Sequence, residues 1–178
     1  MKINLIVCCD KTGNIGKEGE LPWDTHFKED MLNFTRLTTG EGRCINGVLM
    51  GRKTWQSLPE RHRPLKNRRN YILSSTLPLE QTPNWTSVYP DFDVAIVGAK
   101  LDGIKELWVI GGEQLYKEAL ACSNLLSNFW VTIVNKEYED CDRQFPLEVL
   151  NELFPGGPSI TFPYMTKDRT FFSIHRFS

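Results

Sequence analysis

The segment at residues 106–116, ELWVIGGEQLY, decides the fold. Its first five residues form a short, mostly apolar run that predicts a buried strand, and the two glycines lead at once into a pattern typical of a helix. The same kind of junction occurs at residues 48–58, where VLM runs into GRKTWQSL. Two such junctions indicate a sheet with helices packed on it and a site at the carboxyl ends of the strands.

The rest of the chain continues this alternation of strands and helices. Further strands are predicted at residues 1–10, 70–74, 129–134 and 170–177, and further helices at residues 27–38 and 92–99. Asp91 is a suitable N-cap for the second of these helices. The last strand is predicted to join a mostly parallel sheet in the antiparallel sense. The expected fold is therefore a three-layer αβα sandwich, built as a single domain over residues 1–178.

Composition restricts the class of function. The chain is 40% hydrophobic and 24% charged with a formal net charge of -1, so nucleic-acid or anionic-membrane binding is not expected as the main activity. No apolar stretch approaches membrane-spanning length. Five cysteines, Cys44 among them, form no C-x-x-C pair, and His26, His62 and His175 lack metal-ligand spacing. We therefore expect no disulfide framework, no metal site and a reducing, cytoplasmic location.

One acidic residue interrupts the inward face predicted for the helix at residues 27–38. On a 3.6-residue period that face consists of Phe27, Asp30, Met31, Phe34 and Leu37. Burying an ionised carboxylate among apolar side chains is costly unless something hydrogen-bonds it. Either Asp30 is the N-cap of a helix that begins at Met31, or it faces a ligand or a polar neighbour.

The two strand-to-helix junctions predict an anion site. Helix N-termini present unpaired N–H groups, and glycine lets a ligand approach the backbone. The junctions carry Gly51, Arg52, Lys53 and Thr54 in one case and Gly111 and Gly112 in the other. Two adjacent anion sites fit a dinucleotide pyrophosphate better than a lone phosphate, although glycine at such turns is also common for geometric reasons. Glu113 would repel a phosphate and is expected to point outward.

A series of short motifs runs through the chain in a fixed order. They are Ile15-Gly16, Leu21-Pro22-Trp23, Asp30, Phe34, Met50-Gly51-Arg52-Lys53-Thr54-Trp55, Arg63-Pro64-Leu65, Arg68, Leu73-Ser74-Ser75, Ile110-Gly111-Gly112, Tyr116 and Thr132. Their joint order and spacing resemble the dihydrofolate reductase family over nearly the whole chain. The resemblance implies an eight-stranded sheet flanked by four helices. It also implies NADPH-dependent reduction of 7,8-dihydrofolate to 5,6,7,8-tetrahydrofolate, which supports one-carbon metabolism and thymidylate synthesis.

The resemblance also implies which residues meet the substrate. Asp30 would hydrogen-bond the 2-amino group and N3 of the pterin and promote protonation at N5, with a pKa raised toward neutrality and a water held near Trp23. Thr132 would brace Asp30, Leu21 would cover the nicotinamide, and Arg68 would bind the α-carboxylate of the glutamate tail. The remaining substrate contacts would be Ile6, Val7, Met31, Phe34, Leu58, Leu65, Ile110 and Tyr116. Ordinary core packing is the alternative for each apolar member.

For NADPH the resemblance implies a second set of contacts. They are Cys8, Ile15, Gly16, Gly51, Arg52, Lys53, Thr54, Leu73, Ser74, Ser75, Ile110, Gly111, Gly112, Glu113, Gln114, Leu115 and Tyr116. Arg52 and Ser74 would contact the 2′-phosphate, and a cis peptide would join Gly111 to Gly112. Asp142 resembles a residue that hydrogen-bonds the loop bearing Leu21 in its closed position.

Several alternatives stay open at this point. Glu29 competes with Asp30 as the active-site carboxylate, although it would face away from Met31, Phe34 and Leu37. The related pyrimidine reductase of riboflavin synthesis shares the fold and NADPH, but the set formed by Trp23, Asp30 and Arg68 disfavours it. A non-catalytic nucleotide- or RNA-binding protein on the same fold is the second alternative. A monomer that acts on the small molecule dihydrofolate is the expectation.

Overall fold

An eight-stranded sheet forms the centre of the structure, a computed structural model that describes residues 1–23, 27–40, 45–78 and 82–178. The strands are, in chain order, β1 (Lys2–Asp10), β2 (Asn14–Gly16), β3 (Gly47–Gly51), β4 (Arg69–Leu73), β5 (Thr86–Tyr89), β6 (Glu106–Val109), β7 (Asn128–Val134), β8 (Arg143–Gln144), β9 (Ile160–Met165) and β10 (Phe171–Phe177). The large sheet has the order β5-β4-β3-β6-β1-β7-β10-β9, and β2 pairs with β8 separately. β10 pairs antiparallel with both β7 and β9, and the other pairs of described strands in the large sheet are parallel, which confirms the predicted sheet type.

Helices cover both faces of this sheet, as predicted. They are α1 (Lys28–Thr39), α2 (Arg52–Ser57), α3 (Phe92–Leu101), α4 (Glu113–Ala121) and α5 (Leu147–Leu153). On one face α1 and α2 pack against Ile6, Val48 and Met50. On the other face α3, α4 and α5 pack against the larger core that contains Leu5 and Leu49. The short helix α5 is additional to the four helices expected from the resemblance.

Four strands and one cap differ from the sequence predictions. The sequence does not predict β2 and β8, which are only three and two residues long. It also does not predict β5, which has only four half-buried residues, or β9, a mostly exposed edge strand interrupted by Pro163. The helix α1 begins at Lys28 with Phe27 as its N-cap residue, so the N-cap interpretation of Asp30 is wrong. The prediction for Asp91 is confirmed, since its side chain accepts a hydrogen bond from the Val94 N–H at 2.9 Å.

The cysteine and histidine predictions are tested only in part. The thiols of Cys8, Cys9, Cys122 and Cys141 are unpaired, whereas Cys44 and His26 lie outside the described residues. Within the described ranges, no cluster of three or more histidine, cysteine or carboxylate side chains could hold a metal ion. None of the helices there is both long and apolar enough to cross a bilayer.

Candidate active site

The two glycine junctions lie side by side at the carboxyl ends of β3 and β6. The Gly51 N–H donates to the Gly111 carbonyl oxygen at 2.8 Å. The peptide between Gly111 and Gly112 is cis, as expected, and Gly111 has a φ of +99°. A Cβ built on Gly111 would lie 2.7 Å from the Tyr116 ring, and one on Gly112 would lie 3.2 Å from Thr54 Oγ1. Only glycine fits this backbone cradle at Gly111, which leaves peptide groups open to a ligand.

Cationic and hydroxyl side chains surround the cradle. Arg52 and Lys53 form the first turn of α2, and neither is ion-paired within the described part of the chain. The guanidinium of Arg52 donates to Gln56 Oε1 at 3.1 Å. Ser74 follows β4, the neighbour of β3, and its Oγ accepts the N–H of Leu77 at 2.9 Å, so its own O–H is available to donate. These donors and charges suit an anion bearing several phosphate oxygens.

Glu113 does not oppose an anion at this position. Its carboxylate pairs with Lys117 Nζ at 2.6 Å, one turn along α4. That contact directs the negative charge along the helix surface, in agreement with the outward orientation predicted from the sequence.

Asp30 lies in the first turn of α1 and meets Thr132 of β7, which is 102 residues further along the chain. Thr132 Oγ1 donates to Asp30 Oδ1 at 2.5 Å. Burial raises the pKa of Asp30 to about 6, although the hydrogen bond from Thr132 works in the opposite direction. Glu29, the competing candidate, instead lines a groove with Leu32 and Phe162 between α1 and β9. The carboxylate at the strand ends is therefore that of Asp30.

A buried aromatic residue and a thiol belong to one apolar cluster near this carboxylate. Cys8 pairs in register with Thr132, so both side chains project from the same face of the sheet. Burial raises the pKa of the Cys8 thiol well above its usual value, and the negative charge of Asp30 adds to the shift. Trp23 is only 5% exposed and packs edge-on to the Tyr138 ring at 5.8 Å between centroids. The surroundings of Asp30 are thus largely apolar.

An apolar wall lies on the face of the sheet that α1 and α2 cover, one helical turn from Asp30, and this face is called the cleft side. The predicted members Ile6, Phe34, Leu58, Leu65 and Ile110 belong to one cluster with Met50 and Trp55. The Tyr116 hydroxyl donates to the Ile6 carbonyl oxygen at 2.9 Å, which ties α4 to β1 beside this cluster.

Other predicted contacts lie elsewhere. The side chains of Val7 and Leu115 pack in the core on the opposite face, because neighbouring residues of a strand alternate between faces and Leu115 lies on the inner side of α4. They can offer only backbone atoms to the cleft. Met31 is 47% exposed, so it does not belong to the buried stripe of α1. Leu21, which lies outside α1, is 50% exposed. Ser75 and Gln114 are exposed, while Ile15 and Leu73 are half-buried against the larger core.

Arg68 carries a buried positive charge. It is 6% exposed, its Nε donates to the Lys66 carbonyl oxygen at 2.9 Å, and a second guanidinium nitrogen donates to Thr38 Oγ1. The guanidinium carbon lies 5.7 Å from the centre of the Phe34 ring. Burial lowers the pKa of Arg68 to about 10, so the side chain stays charged at neutral pH. No ion pair forms on it within the described ranges, which leaves its charge available to a ligand carboxylate.

The loop after β1 is held by a carboxylate for which the sequence analysis proposed no role. Asp10 is fully buried and accepts the N–H groups of Asn14 at 2.8 Å and Tyr138 at 2.9 Å. Burial alone would raise the pKa of Asp10, but these hydrogen bonds lower it below its usual value. The sequence signal that could reveal this role of Asp10 is a carboxylate directly at the end of an apolar strand.

Asp142 contacts the same loop through its backbone. Its N–H donates to the Gly16 carbonyl oxygen at 3.1 Å, next to the pairing of β2 with β8. Its carboxylate lies 3.5 Å from the Arg143 guanidinium. Among the described residues, the amide of Asp142 and not its side chain contacts this loop, and the closure expected for the segment that bears Leu21 stays a prediction.

Comparison with known proteins gives a consistent result. The family model described as "Dihydrofolate reductase" matches residues 2–155. A dihydrofolate reductase from Schistosoma mansoni is 39% identical over 171 residues, which cover 91% of this chain and 89% of that protein. Proteins of the same name from Heliothis virescens and Sus scrofa are each 37% identical over 152 residues, covering 82% and 81% of this chain and 80% and 78% of those proteins.

Proposed function

Because the chain belongs to the dihydrofolate reductase family, we propose that it reduces 7,8-dihydrofolate to 5,6,7,8-tetrahydrofolate with NADPH as the reductant. The chain is an oxidoreductase of a family that uses a nicotinamide cofactor. The observation that carries the proposal is the half-buried Asp30, hydrogen-bonded to Thr132 on the side of the sheet that carries the apolar wall, at the strand ends that form the glycine cradle. When bound, NADPH supplies the hydride.

Asp30 binds and orients the pterin in this proposal. The N3–H and the 2-amino group of a pterin form a pair of donors, and a carboxylate accepts both in one plane through short, charge-assisted hydrogen bonds. The hydroxyl of Thr132 holds one carboxylate oxygen and thereby fixes the plane of the carboxyl group. The apolar wall around Phe34 and Ile6 excludes water from the rest of the ring.

The same carboxyl group assists protonation at N5. A group with a pKa of about 6 is protonated in an appreciable fraction near neutral pH, which suits general acid–base work. Trp23 closes the apolar side of this region and would hold the water that relays the proton. Cys8, whose thiol stays neutral because burial raises its pKa, adds no competing charge.

The residues at the cradle fit the phosphates of NADPH. The backbone of Gly111 and Gly112 would give the pyrophosphate close access, because neither residue has a side chain to cover the peptide groups. Arg52 and Ser74 supply a fixed charge and a hydroxyl where two neighbouring strands end, which suits the 2′-phosphate. Arg68, a buried cation that makes no ion pair with the residues that the structure describes, suits the α-carboxylate of the substrate's glutamate.

Replacing Arg52 with glutamine tests the 2′-phosphate assignment. A hydrogen bond to a charged group contributes about 1.5–3 kcal/mol, so KM for NADPH should rise about 10- to 100-fold. KM for NADH should change little, since NADH lacks that phosphate. Steady-state kinetics with both cofactors measure the effect, and Lys100→Gln, an exposed cation on α3, is the control. An equal rise for the two cofactors would remove Arg52 from the 2′-phosphate site.

The reaction itself is tested by following NADPH absorbance with purified protein. Oxidation should depend on added dihydrofolate and should not occur with the ribosylamino-pyrimidine substrate of riboflavin synthesis. Folded protein that oxidised no NADPH with dihydrofolate would refute the proposed reaction. Retained RNA binding in such inactive protein would favour the non-catalytic alternative.

Three further expectations form part of this proposal. They are a single domain over residues 1–178, a monomeric state and a cytoplasmic location. The unpaired thiols of Cys8, Cys9, Cys122 and Cys141 support a reducing compartment.

A further inference from the structure

Asn70, for which the sequence predicts no role, hydrogen-bonds the segment that carries Leu65 and Arg68. It is fully buried and is the second residue of β4. Its Oδ1 accepts the Leu65 N–H at 3.0 Å, and its Nδ2 donates to the carbonyl oxygens of Leu65 and Arg68, both at 3.0 Å. One side chain thereby holds both ends of the segment at residues 65–68.

In the proposed function, that segment carries two residues that bind the benzoylglutamate tail of the substrate. Leu65 belongs to the apolar wall of the cleft, and Arg68 supplies the buried guanidinium beside Thr38. Asn70 itself is fixed in the sheet, since its N–H donates to the Trp85 carbonyl oxygen at 2.8 Å. The side chain therefore transfers the rigidity of β4 to a segment that has no strand or helix of its own.

An asparagine is well suited to this task. Leu65 needs both a donor and an acceptor for its backbone, and a primary amide offers both in one plane, as a neighbouring strand would. The second amide hydrogen remains for the Arg68 carbonyl group. Without Asn70 these backbone groups would lose partners in a buried environment, and the segment would rearrange to regain hydrogen bonds.

We propose that Asn70 is a positioning residue that sets the selectivity for substrates with a carboxylate-bearing tail, by holding Leu65 and Arg68 in place. This inference rests on the proposed function. A bidentate pair between guanidinium and carboxylate tolerates only small displacements, so a looser segment weakens tail binding. The pterin end is held by Asp30 and Thr132 on other elements and is unaffected.

The experiment compares two substrates in the full-length protein. Dihydrofolate carries the benzoylglutamate tail, whereas 6-methyldihydropterin lacks it. For Asn70→Ala, kcat/KM for dihydrofolate should fall about 10- to 100-fold, mainly through KM, which is the size expected for one charge-assisted contact. For 6-methyldihydropterin, kcat/KM should stay within about twofold of the unmodified protein.

The controls separate positioning from general damage. Asn4→Ala removes another buried asparagine, which donates to Glu106 at 3.4 Å and accepts from Asn128 at 2.9 Å, and it should leave the ratio of the two kcat/KM values unchanged. Arg68→Leu, like Asn70→Ala, should lower the ratio of kcat/KM for dihydrofolate to kcat/KM for 6-methyldihydropterin. Combining Asn70→Ala with Arg68→Leu should give little further loss on dihydrofolate, because both act through one contact.

The outcomes distinguish the two levels of the proposal. An equal loss on both substrates, or full additivity with Arg68→Leu, would overturn the role of Asn70. If Asn70→Ala does not fold, Asn70→Ser, which keeps one hydrogen-bonding group, is measured in its place against the same two substrates. Absence of turnover of both substrates by the unmodified protein would refute the proposed function and, with it, the selectivity role of Asn70.

Discussion

The Asp30→Asn variant is expected to lose about 10²- to 10⁴-fold in kcat/KM for dihydrofolate at pH 7, the usual size of a general acid–base contribution. Asparagine keeps an oxygen for the Thr132 hydroxyl, so the local packing persists. It cannot accept both pterin donors or exchange a proton. Part of the activity should return as the pH falls toward 5, because more of the substrate then carries its own proton at N5. Pre-steady-state hydride transfer across pH measures both effects.

The same variant is expected to be more stable than the unmodified protein above pH 6. Burial raises the pKa of Asp30 from 3.8 to about 6, so the folded state binds the proton more tightly than the unfolded state does. The stability that this provides is complete below the unfolded pKa and is lost as the pH rises through the folded pKa. At neutral pH the difference is about 1–3 kcal/mol in favour of asparagine, and it should vanish near pH 4.

A carboxylate of similar chemistry outside the cleft provides the control. Asp102 Oδ2 accepts the Tyr71 hydroxyl at 2.8 Å, as Asp30 accepts that of Thr132, but it lies at the end of α3. Asp102→Asn should leave kcat/KM and its pH profile unchanged. Low activity in Asp30→Asn that did not vary with pH would count against proton delivery by Asp30. Lower stability of this variant at pH 7 would show that the charge of Asp30 does not destabilise the folded state.

Gly111→Ala is expected to abolish tight NADPH binding and to destabilise the fold by about 2–4 kcal/mol. The φ of +99° is a region that residues with a Cβ occupy at a cost of about 1–3 kcal/mol. The new Cβ would also lie 2.7 Å from the Tyr116 ring, so that ring must move. Tyr116 would then lose its hydrogen bond to Ile6, and the cradle would change shape. Fluorescence titration with NADPH and thermal unfolding measure the two effects.

Gly103→Ala is the matched control for this substitution. Gly103 also has a positive φ, of +72°, but a Cβ there would meet nothing within 4 Å. The control should cost about 1 kcal/mol through the backbone alone and leave the affinity for NADPH unchanged. If Gly111→Ala bound NADPH as tightly as Gly103→Ala, the cradle would not be the pyrophosphate site.

The sheet was predictable where its strands are buried on both faces. The apolar runs of β3 and β6 have no polar interruption and that of β1 has only Asn4, so the type and place of these strands follow from composition. The edge strands are different. With Pro163 in β9 and only partial burial in β5, neither carries the alternation that marks a strand.

The site was predictable in its residue types but not in its contacts. Asp30 stands out because a charge interrupts an apolar stripe, whereas its partner Thr132 is 102 residues away and has no local signal. Arg68 is one of several cations in its loop, and only the tertiary contact with Thr38 shows that it is buried. Asn70 resembles any polar residue near a strand start until its three hydrogen bonds to the segment are known.

The central position of the first strand has a consequence for biosynthesis. β1 is flanked by β6 and β7, so its partners leave the ribosome roughly a hundred residues after it does. At about 5–20 residues per second, the apolar run that ends at Asp10 waits about 5–20 s for a neighbour. Nascent chains that stop before Glu106 therefore expose the apolar run of β1. Such chains cannot yet form the centre of the sheet, and we expect them to bind chaperones.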